Sequence, residues 1–328
     1  MALSSDEIIK REIIDKLGYT RNGLKIRIFP QSSNEDQKLF SEGGLTFSAD
    51  GVDYGSCDAA WYREVDGRCI PVIGLEGTDA LNRKSSGNAQ YQRFHHALGA
   101  VKNGIIGVYY LKRGIDKIQE DLFEMAYSAS RHEKGTYLII DDLEQLKPVI
   151  DNMNDKEALQ KALDNILENM HEIFMRKFRT MYHGSWQTYA EKRSTIIEPE
   201  RVIKYAGRMR RNFTDSSQRA GHIAVGEMYL TKYHFYGKKI IYLMPKMTRS
   251  DVNFLDIHKS QDKEWYLLRN EPMVEIKTMD DLTGLPDQTK QYLLAIQNEP
   301  LKGNALRIYN NCIDTIVRGL KNKTILII

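Results

Sequence analysis

Cysteine is scarce in this sequence: Cys57, Cys69 and Cys312 are the only three in 328 residues. Three scattered thiols are too few for a disulfide framework or a zinc cage. Cys57 and Cys69 could approach each other across a hairpin, but reduced thiols are the expectation for a cytosolic chain. Long hydrophobic runs are missing as well; no stretch approaches the roughly 20 apolar residues that cross a bilayer. The opening Met1-Ala2-Leu3-Ser4-Ser5-Asp6-Glu7 lacks the basic segment and apolar stretch of a secretory signal, so a cytoplasmic location is expected. There is no Walker loop, dinucleotide fingerprint, zinc spacing or serine-nucleophile elbow, which argues against those enzyme classes. Internal repeats and low-complexity linkers are also lacking.

What is present is ordinary globular composition, 41 % hydrophobic and 28 % charged. The net charge of +3 does not by itself imply a nucleic-acid partner, so the distribution of charge matters more than its total. Basic residues concentrate in Lys204-Tyr205-Ala206-Gly207-Arg208-Met209-Arg210-Arg211-Asn212, flanked by Arg201, Arg219 and His222. Asp141–Glu144 and Asp151–Glu157 are acidic.

Apolar spacing predicts an amphipathic helix over 5–17, from Ile8, Ile9, Ile13, Ile14 and Leu17, with Gly18 as its stop. Residues 22–57 carry turn signals but no clear period. Two strand-like runs, 58–65 and 68–76, flank Asp66-Gly67, a strong hairpin signal. A helix is predicted over 88–102, with Tyr91, Phe94, Leu98 and Val101 as its apolar face and Ser86 as a cap. A strand over 105–111, a helix over 115–129 and a strand over 136–140 follow. Such alternation predicts an α/β fold with a mixed central sheet flanked by helices. A long helix over 155–182 carries a core stripe of Leu159, Leu163, Ile166, Leu167, Met170, Ile173 and Phe174. Beyond it are expected a helix over 221–236, strands over 239–244 and 324–328, and a helix near 303–320. The expected organisation is a core with its N-terminal helix over 1–150, followed by a more helical or mixed half over 151–328. The apolar and aromatic residues of 221–236 read as core or subunit interface rather than a base-stacking platform. His95 and His96 are adjacent and cannot easily share one metal, so they read as helix-surface or core histidines.

The most informative segment is 57–78, where Asp58 opens the first strand and Glu76 ends the second beside Gly77 and Thr78. Folding at Asp66-Gly67 brings these ends together. A second strand carrying Ile70, Val72, Ile73 and Leu75 is expected to be largely buried, with Glu76 emerging at a sheet edge. Two converging carboxylates repel unless a cation or a proton lies between them. Hard oxygen ligands with room for water suit Mg²⁺. Register decides the matter. A strict two-residue turn sets Asp58 opposite Leu75, pointing away from Glu76; a three-residue loop, or another bulge of the same effect, puts both acids on one face. The second arrangement is expected. The competing reading is a plain hairpin with unrelated surface acids.

Aspartate, strand–turn–strand, Glu-x-Lys, then helix and strand is the pattern that this segment resembles: the PD-(D/E)xK nucleases, which include many type II restriction endonucleases. The resemblance spans roughly residues 53–112 and implies a restriction-endonuclease-like core. Asp58 and Glu76 match its two acids and are implied as Mg²⁺ ligands. Cys57 stands where the family has proline, and Thr78 where it has lysine. Thr78 is then a candidate active-site hydroxyl and Lys84, in the adjoining loop, a candidate electrostatic helper. The basic segment supplies candidate DNA contacts: Arg208, Arg210, Arg211, Asn212, Ser217, Gln218, Arg219 and His222. Such side chains neutralise phosphates or hydrogen-bond base edges. The implied function is sequence-specific, Mg²⁺-dependent hydrolysis of double-stranded DNA by a homodimer. Two alternatives are a repair or junction nuclease of the same superfamily and a non-catalytic DNA-binding regulatory protein.

Overall fold

The computed structural model describes residues 5–29, 44–79, 93–115, 118, 120–181, 201–205, 219–244, 247–258, 263–281 and 324–327. The chain divides into two units, Met1–Arg176 and Lys177–Ile328.

The first unit opens with α1 (Ser5–Leu17), matching the spacing of its isoleucines, and Gly18 ends it with φ 71°. Two short strands follow, β1 (Thr20–Arg21) and β2 (Leu24–Ile28). In β2, buried Leu24, Ile26 and Ile28 alternate with exposed Lys25 and Arg27. Next comes a separate two-stranded ribbon, β3 (Thr46–Ala49) and β4 (Val52–Ser56). The central hairpin is β5 (Ala59–Val65) and β6 (Arg68–Thr78). It leads into α2 (Phe94–Lys102), β7 (Ile106–Leu111), α3 (Glu120–His132) and β8 (Tyr137–Ile140). A 3₁₀ turn (Leu143–Leu146) and α4 (Lys147–Asp151) precede the long α5 (Lys156–Met181).

These strands form one mixed six-stranded sheet in the order β1-β2-β5-β6-β7-β8. Pairs β1–β2, β2–β5 and β5–β6 are antiparallel; β6–β7 and β7–β8 are parallel. Every residue of β7 and β8 is buried, the mark of strands covered on both faces. Of the predicted apolar face of α2, Phe94, Leu98 and Val101 are fully buried, and Tyr91 and the cap Ser86 lie outside the described residues. Phe94 stacks on Tyr137 at 4.3 Å between ring centroids, and the Tyr137 hydroxyl donates to the Phe94 carbonyl at 2.8 Å.

The α5 stripe is buried as expected at Leu163, Ile166, Met170 and Ile173. Because the Ile139 amide donates to Met170 Sδ at 3.3 Å, α5 packs within the first unit. The first unit therefore runs past residue 150, to Arg176.

The second unit carries a parallel sheet of its own. Strands β9 (Arg201–Tyr205), β10 (Lys239–Met244), β11 (Val274–Thr278) and β12 (Thr324–Ile327) lie in the order β11-β10-β9-β12. Helix α6 (Arg219–His234) connects β9 to β10, and α7 (Arg249–His258) and α8 (Lys263–Asn270) lie between β10 and β11. Ala224, Val225, Met228, Tyr229 and Tyr233 of α6 are buried, as is Phe235 just beyond it, so these residues serve the core. Residues 303–320 lie outside the described residues. Among the described residues, no helix is long and apolar enough to cross a membrane.

Candidate active site

The β5–β6 hairpin turns on Asp66 and Gly67 alone, with φ 49° and 72°, and pairs Val65 with Arg68. Both central residues have positive φ, as a type I′ turn requires. That tight turn would point Asp58 away from Glu76. One extra residue on β6 reverses this outcome. The register shifts between Trp61 and Tyr62, which pair with Ile73 and Pro71, leaving Val72 unmatched. Beyond the bulge Ala59 pairs with Leu75, and one step further on, this register sets Asp58 against Glu76. The acids therefore share a face, through a bulge rather than a longer loop.

Two expectations about this hairpin are corrected. Glu76 does not emerge at an edge: β6 lies between β5 and β7 in the sheet, and Glu76 is fully buried, as is Asp58. Nor is β6 buried throughout. Ile70 at the hairpin tip is 45 % exposed, whereas Ile73 and Leu75 are fully buried. The tip projects past the layers that cover the rest of the sheet.

Burying two carboxylates is costly unless charges of opposite sign come with them. Lys10 and Arg93 supply such charges, and the Gly77 amide and His96 add polar contacts. Lys10 of α1, itself fully buried, places Nζ 3.7 Å from Asp58 Oδ1. Helix α1 comes this close because β6 has glycine where the two meet: a Cβ on Gly77 would lie 2.6 Å from Ile9 Cγ2. Ion pairs Lys16–Asp142 and Lys112–Glu12 hold the same helix at 2.7 and 2.6 Å. The Gly77 amide donates to Asp58 Oδ2 at 2.9 Å. Arg93, which precedes α2, donates from Nη1 to Glu76 Oε1 at 3.2 Å and to the Gly77 carbonyl at 3.1 Å. His96 Nδ1 stands 3.2 Å from Glu76 Oε2.

Burial pushes the Asp58 carboxyl up to about 7, with Glu76 adding to the rise; Arg93, Lys10 and the Gly77 amide act against it. The same surroundings, burial first and then the two acids, push the Cys57 thiol up. Burial likewise raises the Tyr109 phenol, on the strand position paired with Glu76. Cys57 is buried and Cys69 exposed, and both are free thiols. Cys69 pairs with Glu64 across the hairpin, so the approach considered between the two cysteines does not occur.

Thr78 is almost fully buried and lies two residues beyond Glu76 on β6, on the same face of the strand. Lys84 lies outside the described residues, as do Arg208, Arg210, Arg211, Asn212, Ser217 and Gln218. Arg219 and His222 fall on the first turn of α6. Among the described residues, no group of three or more His, Cys, Asp or Glu is arranged to hold a metal ion. Hard oxygens here, among the described residues, include the two carboxylates and the Gly77 carbonyl. A cavity of about 310 Å³ lies elsewhere in this unit, bounded by Arg63, Val72, Ile105, Met153 and Leu163. Comparison of the chain with family models, with curated proteins and with solved structures finds no match.

Lys10 and Arg93 were not singled out from sequence, and His96 was read only as a helix-surface or core histidine. Lys10 had a readable signal: it shares the apolar stripe of α1 with Ile13, Ile14 and Leu17, at spacings of three, four and seven. A lysine on an apolar stripe needs a buried anion, and Asp58 is that anion. Arg93 and His96 follow a polar loop, and nothing in their local sequence distinguishes them from a solvated helix start.

Proposed function

We propose that this chain is a Mg²⁺-dependent endonuclease acting on double-stranded DNA, of the type II restriction kind. The observation that carries this reading is the bulge-set register that brings Asp58 and Glu76 to one face of the sheet beside a buried lysine. Support comes also from element order: an antiparallel β5–β6 hairpin, then α2, then parallel β7. That is the order the PD-(D/E)xK resemblance implies.

Asp58 and Glu76 would hold the metal, and their hard oxygens fit it. When bound, Mg²⁺ supplies charge stabilisation at a phosphate oxygen and a more acidic water. The sheet and the Gly77 amide hold the two carboxyl groups in place beside one another. Lys10 supplies the fixed positive charge that Thr78 lacks, coming from α1 rather than from β6. Thr78 offers a hydroxyl on the Glu76 face. The segment between β9 and α6, with Arg208, Arg210, Arg211, Asn212, Ser217 and Gln218, together with Arg219 and His222, would take DNA phosphates and base edges. A palindromic site would be met by a homodimer in the cytoplasm, since two-fold DNA is best matched by a two-fold protein.

A second reading is favoured by one observation: the acids are already neutralised by Lys10 and Arg93. On that reading the hairpin is structural, and the protein is a non-catalytic DNA-binding regulator. Incubating the purified chain with unmethylated plasmid, with Mg²⁺ and then with EDTA, separates the two. Discrete, EDTA-sensitive fragments that disappear in Asp58→Ala and Glu76→Ala support the nuclease; binding without cleavage supports the regulator. Ends mapping to one short sequence distinguish a restriction enzyme from a nuclease that reads junctions or damage.

A further inference from the structure

We propose that the Arg93 guanidinium occupies the divalent-cation seat of this site, and that a metal ion enters by displacing it. The inference rests on the nuclease reading for the existence of the seat and adds what fills it beforehand. One Arg93 nitrogen lies 3.2 Å from Glu76 Oε1 and 3.1 Å from the Gly77 carbonyl. A negative carboxylate oxygen and a backbone carbonyl oxygen from adjacent residues thus converge on one positively charged group. Asp58 contacts the same glycine, its Oδ2 accepting from the Gly77 amide at 2.9 Å. These are hard oxygens of the kind Mg²⁺ or Mn²⁺ takes.

Lys10 addresses Asp58 Oδ1, and His96 addresses Glu76 Oε2. Arg93 is also the group placed to move. It stands just before α2, makes no side-chain cap bond there, and its side chain is 26 % exposed, against 0 % for Glu76 and Lys10. Of the two partners in this ion pair, Arg93 is therefore the one in reach of solvent. Withdrawing it without replacement would leave a buried carboxylate short of its counter-charge, which is strongly unfavourable. Exchange for another cation avoids that cost. Once outside, a planar guanidinium beside the metal is matched to a phosphate in two-point hydrogen bonding.

The test is divalent-cation binding by the full-length protein without DNA, followed by calorimetric titration with Mn²⁺. A charge-assisted hydrogen bond contributes about 1.5–3 kcal/mol, so removing the competitor in Arg93→Met is expected to tighten Mn²⁺ binding by roughly tenfold or more. Glu76→Gln is expected to abolish that binding in both backgrounds. Equal, Glu76-dependent affinity in the wild type and Arg93→Met overturns the displacement while leaving the metal seat in place. Weaker binding in Arg93→Met also overturns it, because Arg93 would then support the metal rather than compete. No Glu76-dependent Mn²⁺ binding in either protein removes the seat, and the nuclease reading with it. Should Arg93→Met fail to fold, Arg93→Lys replaces it, since its shorter ammonium keeps the charge but not the reach. A gain of about threefold in Arg93→Lys supports the displacement, and no gain overturns it.

Discussion

Asp58 is a carboxyl whose surroundings favour its proton. Its value in the folded chain is about 7, above the ordinary 3.8. The folded state thus binds this proton more tightly than the unfolded state. The stability it confers is complete below about pH 4 and lost as pH rises through 7. Asp58→Asn removes that loss. Relative to the variant, the wild type should lose on the order of 3 kcal/mol between pH 4 and pH 8, read from urea denaturation at each pH. Lys10→Met works in the opposite sense. With its ammonium gone, Asp58 and Glu76 face each other with one counter-charge fewer, and breaking such a buried pair costs about 3–5 kcal/mol. The loss should be larger at pH 8, where Asp58 is charged, than at pH 5; equal losses at both would show that Lys10 acts by packing alone. The two acids were legible in the sequence because a hairpin signal lay between them. Lys10 and Arg93 were not singled out, since ion pairing across a folded sheet leaves no local pattern beyond one lysine on an apolar stripe.

The elements divide into those whose spacing was plain and those interrupted by turn signals or irregularity. Helix α1, strands β5 to β8 and helix α5 begin and end within two residues of the bounds expected for them. Strands β1 to β4 were not read: turn signals interrupt that segment, and the alternation of Leu24, Ile26 and Ile28 with Lys25 and Arg27 was passed over. The bulge at Val72 went unread although Pro71, which has no amide for the ladder, stands beside it as a signal. It nonetheless decides which face Glu76 occupies. Close packing of α1 on β6 depends on Gly77. Gly77→Ala would drive a methyl into Ile9 Cγ2 and displace the helix, at a cost of roughly 1–3 kcal/mol. Adding Ile9→Ala should recover part of that loss by opening the space, a coupling measurable in a double-mutant cycle. Strict additivity of the two substitutions would refute the contact.

At the scale of the whole molecule, the chain holds two α/β units, one built on a mixed sheet and one on a parallel sheet. The first half contains the acids, and the basic stretch belongs to the second, between β9 and α6 in sequence. If that stretch meets DNA phosphates, Arg208→Ala, Arg210→Ala and Arg211→Ala should each weaken binding to all sequences about equally. Each should also lower the slope of log affinity against log salt by about 1, measured by anisotropy across a salt series. An unchanged slope in all three would place the contacts elsewhere. The candidate centre, by contrast, draws on the opening helix as much as on the hairpin. A clone trimmed to begin after residue 10 would still encode both acids, the turn and the bulge, but its interior would hold a carboxylate stripped of its ammonium. Amino-terminal shortening of this protein is therefore surgery on its centre, however far from the hairpin the cut falls on the linear map.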